Sequence, residues 1–305
     1  MIKLKNKFAI GCLIQWYEIE LIPLYLESVK EAINHIDNKE NVVIDLYFNT
    51  SQALEKIDEE QMTMSDIKLK YNKLLEDMFG YDEDTVSLVG CEYNIKLHTN
   101  EHDGQIYTIA DYRREFNDKY CEEVDVLMWG ETDSLIPKQT FEVLDSLHEN
   151  NVYNGIHKYT AFFGTCKMWD ESWKPVEHTD FTNKPFKEDW GDEPIPWWDL
   201  RHNMTLKEMN DINEKTEELI VNTVSPTKFN GCGLVVSSAV IRAGVNIPRS
   251  VFFVHEDTAF QNIFERLMGD QAWQFAIRNI LLVHNRRHPD KRMYVLGETG
   301  ETVNR

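Results

Sequence analysis

Two carboxylates two residues apart, Glu131 and Asp133, stand at the end of the apolar run Val124-Asp125-Val126-Leu127-Met128-Trp129. Two acids so close are costly to desolvate together unless a cation compensates them. A hard divalent ion that also takes phosphate oxygens, Mg²⁺ or Mn²⁺, suits such a pair. The alternative is an acidic turn held in water. Three later constellations add chemistry. Phe229-Asn230-Gly231-Cys232-Gly233 precedes the apolar Leu234 to Val236, and glycines there allow a tight turn or a close approach of backbone to a ligand. His255-Glu256-Asp257 precedes a helical pattern (Phe260, Ile263, Phe264, Leu267). An acid at such a junction is either an ordinary N-cap or a general base aimed into a cleft. Ile280 to Val283 runs into His284, and Arg286, Arg287, His288, Lys291 and Arg292 follow as a locally basic cluster.

Those residues need elements to bring them together. Val124, Val126 and Met128 alternate as in a short buried strand, which places both acids beyond its carboxyl end, where open α/β sheets bind ligands. Phe8 to Ile14 and Val42 to Phe48 read as further buried strands. Ile22, Leu26, Val29 and Ile33 predict a helix within 19–36, with Pro23 in its first turn. Residues 51–80 are helical in period around Leu74, Leu75 and Met78, and Ala110 to Tyr120 predicts a helix feeding the acidic strand. The segment 81–103 is ambiguous, with a strand around Val86 to Val89 as one reading, and 205–220 reads as a solvated helix. This rhythm predicts an α/β fold with a mixed, mainly parallel sheet and helices on both faces. Between Trp169 and Trp198 lie five tryptophans and four prolines with little periodicity. So long an irregular segment is either a lid packing its own aromatics or an acceptor surface. The chain reads as a single domain, 1–305, with 166–226 as this Trp-rich insertion.

Composition narrows the function classes. With 305 residues, 42% of them hydrophobic, the chain can bury a substantial core and is not of disordered type. No run is long and apolar enough to cross a bilayer, which argues against transmembrane association, and the N-terminus reads as a first strand, not a signal peptide. The five cysteines are scattered, odd in number and without zinc-ligand spacing, which points to a reducing interior and a cytoplasmic location. A formal net charge of -20 works against non-specific attraction to nucleic acid or anionic lipid, although a local basic groove remains compatible with it.

An acidic Asp-x-Asp-like pair, a glycine loop, an x-Glu-Asp motif and a late histidine, in this order, resemble the common core of GT-A-fold glycosyltransferases. The likeness runs from the first strand to His284 and is nearest to inverting enzymes related to glycosyltransferase family 2. It implies a GT-A, Rossmann-like fold and transfer of a sugar, such as a hexose, from a nucleotide-diphosphate donor to an acceptor hydroxyl. A UDP-sugar is the commonest donor among such relatives. The resemblance makes Glu131 and Asp133 ligands of Mn²⁺ or Mg²⁺, and His284 a third ligand or a diphosphate contact. It places Cys12, Ile14, Gln15, Asn49, Arg113, Arg114, Thr132, Gly231, Gly233 and Arg286 around the donor. It makes Asp257 the catalytic base, with Glu256 beside it; apart from the resemblance, His255 is a candidate for the acceptor side, and Trp197 and Trp198 of the Trp-rich segment are candidates to hold an acceptor base drawn out of DNA. One departure is Glu131, where Asp is usual; its longer arm can turn direct coordination into water-mediated coordination.

Two other readings remain. A sugar nucleotidyltransferase shares the fold, but its glycine-rich N-terminal signature is absent, and a non-catalytic sugar-nucleotide-binding module would keep the fold alone. The acceptor is a glycan or small-molecule hydroxyl, or a 5-hydroxymethylcytosine or related hydroxymethylpyrimidine in viral DNA. The latter follows from residue usage rich in Asn, Lys, Asp, Glu and Ile and a looser likeness to glycosyltransferases of tailed phages, and it sets the protein in a bacterium or phage-infected host. Such a base would have to leave the stack to be reached.

Overall fold

The computed structural model describes residues 2–50, 63–82, 87–88, 91–100, 107–164, 167–169, 175–177, 205–227, 229, 231–251 and 255–284. Strand β1 (Phe8–Gln15) shows why the chain needs two helical layers. Its side chains divide by parity: Phe8, Ile10, Cys12 and Ile14 enter one core, and Ala9 and Leu13 enter the other. A strand buried on both faces belongs inside a sheet covered on both faces.

Strands β2 (Val42–Asn49) and β4 (Val126–Gly130) flank β1 in parallel, and β3 (Asn94–Thr99) adds in parallel outside β2. On the other side come β6 (Tyr159–Gly164), β7 (Val221–Thr223), β8 (Val235–Ser237) and β9 (Trp273–Leu281). The eight strands lie in the order β7-β9-β6-β8-β4-β1-β2-β3. β8 runs antiparallel to both β4 and β6, and β7 runs antiparallel to β9, while β6 and β9 are parallel. A separate two-stranded pair joins β5 (Ser134–Leu135) to β10 (Val283–His284).

One face is covered by α1 (Ile22–Asn34), α2 (Met64–Phe79) and α4 (Thr140–Tyr153), through Leu26, Val29, Ile33, Ile67, Leu75, Phe141 and Leu144. The other is covered by α3 (Ile109–Tyr120), α6 (Ser238–Arg242) and α7 (Glu256–Met268), through Tyr112, Phe116, Val240, Phe260 and Phe264. Local chemistry starts and stops these helices. Thr63 with Asp66, and Thr108 with Asp111, form capping boxes at α2 and α3, and Gly80 ends α2 in the left-handed region. A buried acid locks α3 onto the sheet. Asp45 of β2 accepts from Tyr120 Oη at 2.6 Å, Tyr112 Oη at 3.0 Å and Lys119 Nζ at 3.1 Å, with His98 Nε2 at 2.8 Å. Burial works to raise its pKa, but these partners outweigh burial and hold the carboxyl below its usual range.

Several expectations change. Of the segment around Val86 to Val89, one reading of which is a strand, the described residues Ser87–Leu88 form a strand paired with Tyr81–Asp82 outside the main sheet. The sheet's edge is instead β3, whose Asn94, Lys96 and His98 hid it among polar residues. The run expected to end at His284 is two strands: β9 stops at Leu281, and Val283–His284 turn away to pair with β5. The segment 205–220 is not a freely solvated helix. Its helix α5 (Leu206–Asn213) buries Leu206 and Met209 against Leu135, Leu281 and Val283, and β7 then joins the sheet edge. Residues 178–204, with Trp190, Trp197 and Trp198, lie outside the described residues. Among the described residues no helix is long and apolar enough to cross a membrane.

Candidate active site

The topology gathers distant residues at one edge of the sheet. Cys12 pairs with Gly130 and Gln15 with Asn49, so β1, β2 and β4 end together. Because β8 is antiparallel to β4, the residues entering β8 run beside those leaving β4; the Trp129 amide donates to the Leu234 carbonyl at 2.9 Å. A turn after β4 is closed by the Ser134 amide and hydroxyl, which donate to the Glu131 carbonyl at 3.0 and 2.8 Å. Thr132 Oγ1 donates to Glu18 at 2.7 Å and pins the same turn. The β5–β10 pairing then sets His284 opposite Ser134.

Charge organises the interior of the site. Arg113 of α3 is only 2% exposed and lies 4.9 Å over the Trp129 ring. One guanidinium nitrogen donates to Glu131 at 2.7 Å and another to Glu256 at 2.5 Å. His284 Nε2 stands 3.3 Å from Asp133 Oδ1 and 3.6 Å from Glu131 Oε2. Burial works to raise the Glu131 carboxyl, but Arg113 and His284 outweigh it and hold Glu131 below the usual carboxylate range. For Glu256 burial wins over Arg113, and the carboxyl is pushed above its usual range. Burial opposes the Arg113 charge, yet Glu256 and Glu131 more than offset it, and its pKa is raised.

The entry to α7 places the remaining acid. His255 is the sole non-glycine residue with a positive φ among the described residues, at 63°. That conformation costs about 1–2 kcal/mol for an L-residue. It turns the chain abruptly before Glu256 and Asp257. The Thr258 amide donates to Asp257 Oδ1 at 2.6 Å, and Oδ2 lies so near Gly231 that any Cβ there would overlap it. Gly233 has φ 70° and its missing Cβ would strike Leu282, so the loop is closely packed at Gly231 and bent at Gly233.

Neither a protein-family model nor a curated protein sequence matches the chain. Solved structures do. S. aureus TarS, residues 1–349, in complex with UDP-GlcNAc aligns over 92% of this chain at 10% identity, with a TM-score of 0.50. The mannosyltransferase PcManGT from Pyrobaculum calidifontis, in complex with GDP-Man and Mn²⁺, aligns over 96% at 9% identity, also with a TM-score of 0.50. The fold is of the GT-A type. The chain spans about three-fifths of each of those two structures, 59% and 60%.

On this GT-A frame, Glu131, Asp133, Gly231, Gly233, Asp257, His284 and Arg113 lie together. Others do not take the places expected of them. Cys12 and Ile14 are wholly buried under α1, so they floor the site and cannot touch a donor. Asn49 donates to Gln15 Oε1 at 3.0 Å and to the Tyr107 carbonyl at 2.7 Å, tying the ends of β1 and β2 beside the site. Thr132 acts on the acidic turn through Glu18. Arg114 turns away: it donates to the carbonyls of Ile247, Pro248 and Val251 at 3.0, 3.1 and 3.2 Å and pairs with Asp111. Arg113 commits both terminal guanidinium nitrogens to Glu131 and Glu256, so it fixes those two carboxylates. Glu256 is held inside by Arg113, so Asp257 alone of the pair faces Gly231. His255 is exposed. Trp197, Trp198, Arg286 and the basic residues after it lie outside the described residues.

Cys232 went unrecognised in the sequence. It is 3% exposed, and its Sγ, a Glu131 carboxylate oxygen and a His284 ring nitrogen all lie within 4.8 Å of one another. Linear ligand spacing could not find it, because its neighbours come from three separate strand ends. Its place between the two glycines of the loop was the available signal. A carboxylate, an imidazole and a thiol drawn together, with the Asp133 carboxylate 3.3 Å from the same imidazole, form a donor set that fits a divalent cation.

Proposed function

We propose that this chain is a metal-dependent, inverting glycosyltransferase that moves a sugar from a nucleotide-diphosphate sugar to an acceptor hydroxyl. The observation that carries this reading is the convergence of Glu131, Asp133 and His284 with Asp257, packed on Gly231, at the carboxyl edge of a GT-A sheet. Binding of UDP-GlcNAc by TarS, and of GDP-Man with Mn²⁺ by PcManGT, supports the donor class and a divalent cation.

In this reading Asp133, Glu131 and His284 hold Mn²⁺ or Mg²⁺, which when bound neutralises charge on the departing diphosphate. Arg113 fixes the Glu131 carboxylate, and Thr132 and Ser134 fix the turn that carries both acids. Asp257 takes the proton of the acceptor hydroxyl as its oxygen bonds the anomeric carbon. The nucleoside diphosphate leaves from the opposite face, so one displacement inverts the centre. Gln15 and Asn49 flank the donor, His255 lies on the acceptor side, Arg286 of the basic cluster serves the donor, and Trp197 and Trp198 of the Trp-rich segment serve the acceptor. The donor is a UDP-sugar, and the acceptor is a hydroxyl of a glycan or small molecule.

Calorimetry with UDP, GDP and CDP, each with and without Mn²⁺, tests the donor and the cation together. UDP is expected to bind best, to need Mn²⁺, and to be lost in Asp133→Ala. Tight UDP binding that ignores EDTA and survives that substitution overturns the cation role. Incubation with UDP-glucose, Mn²⁺ and either glycans or hydroxymethylcytosine-containing DNA separates the acceptor classes. A glycosylated nucleoside in the digest assigns DNA; its absence while the donor is turned over elsewhere rejects DNA.

A further inference from the structure

We propose that Cys232 is a thiolate ligand of the cation site, so that this centre combines oxygen, nitrogen and sulfur donors and selects Zn²⁺, Co²⁺ or Cd²⁺ over Mg²⁺. The inference rests on the cation-dependent reading above and extends it to the identity of the ion. Its basis is geometric. The Cys232 sulfur, a Glu131 oxygen and a His284 ring nitrogen lie within 4.8 Å of one another, and Asp133 Oδ1 lies 3.3 Å from His284 Nε2. A tetrahedral ion with bonds of about 2.0–2.3 Å sets its ligands roughly 3.3–3.8 Å apart. Glu131, Cys232 and His284 therefore need to close by about 1 Å or more to share one ion, with Asp133 beside His284 as a neighbouring oxygen donor.

The bent loop explains how a thiol arrives there. Gly231 packs directly on Asp257 and Gly233 has a positive φ, and Cys232 between them is turned into the interior beside Glu131. A bound divalent cation favours the thiolate over the thiol beside these carboxylates. Glu131 Oε1 is committed to Arg113 at 2.7 Å, which leaves Oε2 toward His284 and halves what this carboxylate offers a cation. A thiolate supplies the missing anionic donor. Mg²⁺ demands octahedral oxygen ligands, whereas imidazole with thiolate suits Zn²⁺ and its neighbours. Binding displaces the thiol proton to solvent and involves no change of oxidation state.

Cobalt titration of the full chain tests this. Wild-type protein with Co²⁺ is expected to show a thiolate-to-cobalt charge-transfer band in the near ultraviolet, absent from Cys232→Ser and retained in Cys91→Ser, whose cysteine lies elsewhere. Cd²⁺ is expected to bind at least about ten-fold more weakly to Cys232→Ser, with Mn²⁺ affinity little changed. A ¹¹³Cd resonance of the wild-type protein displaced strongly downfield gives the same answer without a variant. A cation that binds with neither the band nor the displaced resonance overturns Cys232 as a ligand and leaves the cation-dependent reading standing. Failure of every divalent ion to bind overturns both.

Discussion

Arg113 holds two carboxylates with one planar group, and a lysine offers only a point charge in its place. Arg113→Ala leaves Glu131 and Glu256 without their cation in a buried setting, and a loss of about 3–5 kcal/mol is expected in urea unfolding. Arg113→Lys should fold but retain Mn²⁺ about ten-fold less well, because Glu131 loses its fixed orientation. Equal Mn²⁺ affinity in wild type and Arg113→Lys would remove the positioning role. This part of the site was legible from helical period. Ala110, Arg113, Asn117 and Tyr120 form one buried line on α3, so Arg113 turns inward while its neighbour Arg114 does not. Glu256, Phe260 and Phe264 form the corresponding line on α7, which sends Glu256 to Arg113 and leaves Asp257 at the cleft. Cys232 had no such signature, since its partners meet it only through strand pairing.

The joint between α3 and β2 depends on Asp45, and its pKa gives the test a pH axis. The folded value lies below the unfolded one, so the stabilisation is present above the usual carboxylate range, near 3.8, and is lost as pH falls through the folded value. Asp45→Asn is expected to cost about 3 kcal/mol at pH 7, and the gap to wild type should narrow in urea melts below pH 3.8. A gap that stays constant with pH would show that the Asp45 charge contributes nothing. In the glycine loop, Gly231→Ala should push Asp257 aside and lower transfer about 10²-fold through misplacement alone, with little loss of thermal stability. Normal transfer by this variant would mean that Asp257 does not work from its position against Gly231. β3 and β10 escaped the sequence for different reasons. β3 is an edge strand rich in polar residues, and β10 is too short to carry a period.

The layered architecture was readable because buried strands and amphipathic helices alternate along the chain, and the edge on which the site lies followed from the strand ends. The order of the sheet was not, because β8 is three residues long and its antiparallel course is set by pairing with β4 and β6. That reversed strand delivers Gly231 to Gly233 beside Glu131, so the unreadable feature is also the one that completes the site. A cation bound across β4, β8 and β10 should stabilise the whole molecule, by about 2.7 kcal/mol at a hundred-fold excess over its Kd. Thermal unfolding with and without Mn²⁺ checks this, with the increase expected to vanish in Asp133→Ala. The account as a whole stands on Asp257 as the base of a sugar transfer. Transfer from a UDP-sugar, measured beside donor affinity in wild type and Asp257→Asn, decides it. The expected result is transfer lowered by about 10²–10⁴-fold with donor affinity unchanged, and wild-type transfer by Asp257→Asn would contradict it.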